Sequence, residues 1–219
     1  MRQIWMGMVV LVLAAGVAGA QGTAAPPVQV AAPPAQVAAA AAKPAGEVGD
    51  LLTSGRQDLQ DQKWVEAAAL FEKALKLEPT SQEAMFGLAA AYIQLEKFAE
   101  ALPLLQALQQ QRPESPMVKN NLAWVYVKSK DPAVRNPQMA IKLARDAVLD
   151  VPSDYSVWNT LAEAYYANGQ FDRALRSAQS ALRLSLMAGV TNAASSRELV
   201  ARCRKAAGAT GVEDVAPER

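Results

Sequence analysis

Between residues 48 and 188 the apolar positions recur at helical spacing. Met85, Leu88, Ala89 and Tyr92 stand at i, i+3, i+4 and i+7, the stripe of an amphipathic helix. Ala101, Leu104, Leu105 and Leu108 repeat that stripe one helix further on. Pro79, Pro113 and Pro152 punctuate the pattern, because proline cannot continue a helix from its interior. Starts are marked too. Thr80 with Glu83 reads as a capping box, Ser115 precedes Pro116 at a first helical position, and Asn136-Pro137 repeats that arrangement.

The helices come in matched pairs. Thirty-four residues separate Pro79 from Pro113, and the interval to Pro152 is five longer. A small residue sits early in each first helix: Gly55, Ala89, Ala123 and Ala162. Another opens each second helix: Ala67, Ala101, Ala140 and Ala174. An aromatic stands three before the opener at Trp64, Phe98 and Phe171, and tyrosine recurs at Tyr92, Tyr126 and Tyr165. Small side chains at a crossing let two helices approach closely, and the aromatic fills the space beside it. A single pair cannot bury both its faces, so the units must stack.

Four such units in tandem resemble the tetratricopeptide repeat family over residues 48–188. The resemblance implies an all-α fold, a right-handed α-α superhelix of four helix pairs followed by a C-terminal capping helix. The repeats fall at about 48–81, 82–115, 116–154 and 155–188, within a domain spanning 47–208. Departures are local. The first unit has Asp58 where tyrosine is expected and Ser54 where leucine is. The third has extra residues around 130–135, Pro137 at the aromatic position and Ala144 at a bulky one. Leu186 replaces the closing proline of the fourth, so its second helix is expected to run on toward Gly189. Ser195 with Glu198 reads as a capping box for a last helix over about 195–207, stopped by Gly208. A disordered tail, 209–219, is expected beyond it.

The chain opens differently. Arg2, the apolar run from Ile4 to Ala15 and the small-residue site Ala18-Gly19-Ala20 read as a signal peptide over residues 1–20, cleaved after Ala20. A periplasmic or secreted location follows, and the alternative is an uncleaved segment anchoring the chain to the inner membrane. Residues 21–46 are almost all Ala, Pro, Val and Gln, with paired prolines at Pro26-Pro27 and Pro33-Pro34. That composition predicts a disordered, extended spacer.

Composition narrows the chemistry. Histidine is absent, which excludes imidazole acid–base catalysis and histidine-ligated metal. Cys203 is the single cysteine, so no intramolecular disulfide or thiolate cluster can form; it lies on an apolar stripe and is expected buried and inert. Carboxylate-only catalysis has no motif behind it, and no enzyme, cofactor or metal is expected. Net charge is +1, far from the basic field a nucleic-acid binder needs. Lys128, Lys130 and Arg135 read as the charges of a solvated loop.

Function therefore rests on binding. The resemblance implies that the first helices line a concave groove, on a stripe beside the core stripe. Those positions are Leu52, Arg56 and Leu59; Phe86, Ala90 and Ile93; Asn120, Trp124, Val127 and Lys128; and Asn159, Glu163 and Tyr166. Phe86, Trp124 and Tyr166 are aromatic anchors of the kind that dominate interfaces, and Asn120 and Asn159 can pair with a ligand backbone. Ile93, Val127 and Leu59 are more readily explained as core. Some family members hold a C-terminal carboxylate with lysine and asparagine; here Leu52, Arg56, Phe86 and Ala90 occupy those places. The expectation is a scaffold for a peptide or helix of a partner protein, in an envelope or secretion-related complex. The competing reading is a chain that associates with itself through its open first unit. Membrane contact is expected only if the N-terminal segment is retained.

Overall fold

The computed structural model describes residues 35–190 and 193–208. Among these, the chain forms nine helices and no strand: α1 Ala35–Gln60, α2 Trp64–Leu77, α3 Gln82–Gln94, α4 Phe98–Gln111, α5 Pro116–Lys128, α6 Pro137–Asp150, α7 Tyr155–Ala167, α8 Phe171–Met187 and α9 Ala194–Ala206. Each packs on its neighbour in sequence, and α1 also touches α3, α5 touches α7, and α7 touches α9. The result is an all-α solenoid of four pairs with α9 standing where a fifth first helix would begin.

The small residues sit where the repeat spacing puts them. Ala67, Ala89, Ala101, Ala123, Ala140, Ala162 and Ala174 have no exposed surface at all, and Gly55 is buried. The core divides into two clusters. One joins α1, α2 and α3 around Phe71; the other runs from Ala89 on α3 to Cys203 on α9. Tyr92 packs against both, and its hydroxyl donates to Glu72 Oε1 at 2.7 Å. Burial, then the Glu72 contact, pushes the Tyr92 phenol up to about 12.

Helix ends agree with the sequence in some places and depart from it in others. Ser115 Oγ accepts from Val118 N at 3.5 Å, and Asn136 Oδ1 from Met139 N at 3.0 Å, each with proline at the first helical position. Neither expected capping box forms. The cap of α3 is Ser81, one residue after Thr80, and Glu83 reaches Arg56 on α1 instead. α9 starts one residue early, with Ala193 as cap, which places Ser195 inside the first turn. The turns into α2 and α4 use left-handed Gln62 and Glu96, where the turn into α8 has Gly169.

Two further expectations change. α1 begins at Ala35, so the last part of the stretch expected as a disordered spacer is helical; residues 38–42 are all alanine, which has the highest intrinsic helix propensity. Residues 1–34, which include the expected signal peptide, and the expected tail lie outside the described residues. The charged loop of the third unit is not simply solvated. Arg135 Nη1 donates to Val127 O at 2.7 Å, closing off the C-terminal carbonyls of α5, while Val134 is buried in the core. α8 runs to Met187 and is capped before left-handed Gly189, as the missing proline suggests.

Candidate functional site: the row of first helices

α1, α3, α5, α7 and α9 stand in a row, and the stripe predicted to meet a ligand lies along them. Arg56 on α1 pairs with Glu83 on α3. Further along, Lys128 Nζ on α5 lies 3.0 Å from Glu163 Oε1 on α7, and Arg202 Nη2 on α9 lies 2.6 Å from the same oxygen. Glu163 is buried and balanced by these two cations. Each cation also covers an aromatic ring: Lys128 Nζ sits 4.6 Å from the Trp124 centroid, and the Arg202 guanidinium 4.8 Å from that of Tyr166. Tyr166 meets Phe171 edge-on at 5.4 Å. Burial lowers the Lys128 ammonium, and Glu163 opposes that effect.

The stripe is not uniformly accessible. Ala90 has no exposed surface and Ile93, Val127 and Leu59 are buried, so these four are core and present nothing to a ligand. Leu52, Phe86, Trp124 and Tyr166 are half-buried, each leaning on a core cluster with one side outward. Asn159 is occupied: its amide exchanges contacts with Ser196 Oγ of α9 at 3.4 and 3.5 Å. Asn120, its counterpart one unit earlier, is also buried, and its Oδ1 meets no hydrogen-bond donor among the described residues. Counted at the spacing that joins Asn159 to Ser196, the position opposite Asn120 is Val157, which has no hydroxyl to offer.

Arg202 and Ser196 are missing from the predicted stripe, because the repeat pattern gives α9 as a cover and not as another member of the row. A signal was present. Trp124, Glu163 and Arg202 are evenly spaced, at the same interval that relates Asn120 to Asn159. Cys203 is completely buried, and burial pushes its thiol up to about 11, so it stays protonated and unreactive at neutral pH.

Paired helices with small residues at every crossing, stacked in a row that ends in a lone helix, define an α-helical repeat solenoid. Family models for the tetratricopeptide repeat match residues 58–125 and 155–185; the stretch between them holds the irregular half of the third unit. The chain carries tetratricopeptide repeats in both of these segments. Comparison with curated proteins finds no match. Solved structures share the fold. A tetratricopeptide repeat protein of Thermus thermophilus is 23% identical, with TM-score 0.60 over 74% of this chain and 83% of that one. MamA of strain MSR-1 is 20% identical, with TM-score 0.57 over 74% and 87%. MamA from residue 41 onward of Desulfovibrio magneticus RS-1 is 18% identical, with TM-score 0.52 over 67% and 78%. Proteins built of these repeats are generally non-catalytic scaffolds for protein–protein interaction.

Proposed function

We propose that the chain is a non-catalytic scaffold that holds a peptide segment or amphipathic helix of a partner protein against its first helices. The observation that carries this reading is the alignment of three half-buried aromatics, Phe86, Trp124 and Tyr166, on consecutive first helices. Aromatic side chains that keep part of their surface accessible are frequent energetic centres of protein interfaces. The unpaired Asn120 oxygen adds an acceptor for a donor on the ligand, since a buried acceptor without a donor costs free energy. The scaffold works outside the cytoplasm, in an envelope or secretion-related complex; the residue pattern of 1–20 supports export.

Capture from an envelope fraction by the full chain, wild type against Trp124→Ala, tests the binding face. A loss of roughly tenfold or more in partner recovered, with helicity and melting unchanged, is expected for removal of a central aromatic. Equal capture by the two proteins contradicts the assignment. A mature N-terminus at Gln21, read by mass spectrometry, supports export with cleavage; an intact Met1 in a cytoplasmic fraction contradicts it.

A further inference from the structure

The two ends of the solenoid carry opposite charge. Residues 47–111, from the body of α1 through α4, hold ten acidic and five basic side chains, a net charge of −5. Residues 171–206, which span α8 and α9, hold seven basic and two acidic, a net charge of +5. The stretch between, 112–170, carries seven basic against six acidic and is close to neutral. A whole-chain net charge of only +1 therefore hides a charge separation along the stack.

Part of this charge lies on the terminal helices, on surface that no further repeat covers among the described residues. On α1, Glu47 and Asp50 are exposed at helical spacing, and on α2 Glu66 is exposed beside Val65, itself 64% exposed. On α8, Arg173, Arg176 and Arg183 follow offsets of three and seven along one exposed stripe, which leads to Leu186 and Met187, 49% and 76% exposed. On α9, Arg197 and Lys205 are exposed opposite the buried Ser196, Leu199, Val200 and Cys203. Each end thus joins like charges to an exposed apolar side chain. α1 packs on α2 and α3, and α9 on α7 and α8, so the two ends stand at opposite extremes of the stack and do not neutralise one another within one molecule.

We propose that the basic α8–α9 end docks on the acidic α1–α2 end of a second copy of this chain. The occupant is identified by charge: the same molecule offers at its other end a surface of opposite sign, with exposed apolar contacts to match. A contact between two different surfaces of one protein is head-to-tail, so it propagates from copy to copy and ends only where the rotation between copies closes a ring. It uses the exposed faces of the terminal helices and leaves Phe86 and Trp124 on α3 and α5 available, so it stands or falls separately from the binding face above.

Static light scattering of the full chain against concentration, at low and high salt, reads the association. Average mass is expected to climb with concentration at about 50 mM salt and to return to the monomer near 500 mM, as exposed charges are screened. Arg176→Glu with Arg183→Glu, or Glu47→Lys with Asp50→Lys, is expected to leave each protein monomeric at low salt. Mixing the two variants should restore association, because each then meets an end of opposite charge. Met187→Asp, which leaves the arginines in place, should weaken association by roughly tenfold. A monomer at low salt up to about 200 µM overturns the proposal. So does association that salt and charge reversal leave unchanged, or a monomer whose basic end binds vesicles of phosphatidylserine and phosphatidylcholine.

Discussion

Phe71 has no exposed surface, and two glycines make the room it occupies. A Cβ on Gly55 would lie 2.9 Å from its ring, and one on Gly87 would overlap the ring outright. The aromatic of α2 therefore passes between α1 and α3 at points where neither has a side chain, which fixes how the first two units stack. Alanine is the better helix former, so Gly87→Ala would stabilise an isolated helix by about 0.5–1 kcal/mol. Here overpacking at a cost of about 1–3 kcal/mol wins. We expect a lower denaturant midpoint for Gly87→Ala and partial recovery in the double variant with Phe71→Leu, measured by helical CD. At this scale the sequence was informative. The alternation of small and aromatic positions identified nearly every crossing, because a crossing constrains volume and volume is written in residue type. Gly87 escaped because it belongs to no repeated position; its need arises from the one ring that reaches it.

α9 shows what an element gains from its neighbours. Its exposed face is strongly polar, and only Leu199, Val200 and Cys203 give it an apolar face to bury with Ser196. The contacts that orient it are polar: Arg202 on Glu163 and Ser196 on Asn159. Glu163→Gln leaves Lys128 and Arg202 facing one another across the row without a carboxylate between them. Amide exchange in α9 is expected to quicken by about tenfold, with α3 and α4 unchanged, as in a local opening rather than global unfolding. Uniform acceleration along the whole chain would contradict this placement of the charge. Helix existence and order were legible from periodicity and proline spacing; helix starts were less so. A serine or threonine with an acidic residue three places on is compatible with several cap positions. Tertiary demand chose among them, as when Glu83 turned to Arg56.

At the scale of the whole molecule, the solenoid separates two tasks. Its length is set by stacking, and its chemistry is concentrated on the row of first helices and at the two ends. The repeat pattern revealed the row, but not which of its positions remain open. Ala90 vanishes into the core, and Asn159 is taken by Ser196, because first helices pack on one another, α1 on α3, α5 on α7 and α7 on α9, and share the stripe beside the core. A single helix's periodicity cannot report that sharing. The charge separation was equally present in the residues but invisible in the total of +1. It becomes meaningful only once the order of helices in the stack is known.

The claim on which the rest depends is that a partner lies against the first helices and not on the outer, second-helix side. A photo-activatable cross-linking residue placed at Phe86, and separately at Leu149 on α6, addresses it directly, since Leu149 is 78% exposed on the opposite helix set. Irradiation of cells or an envelope fraction should join a partner protein to the Phe86 variant and leave the Leu149 variant bare. Cross-linking from Leu149 with none from Phe86 would contradict the account.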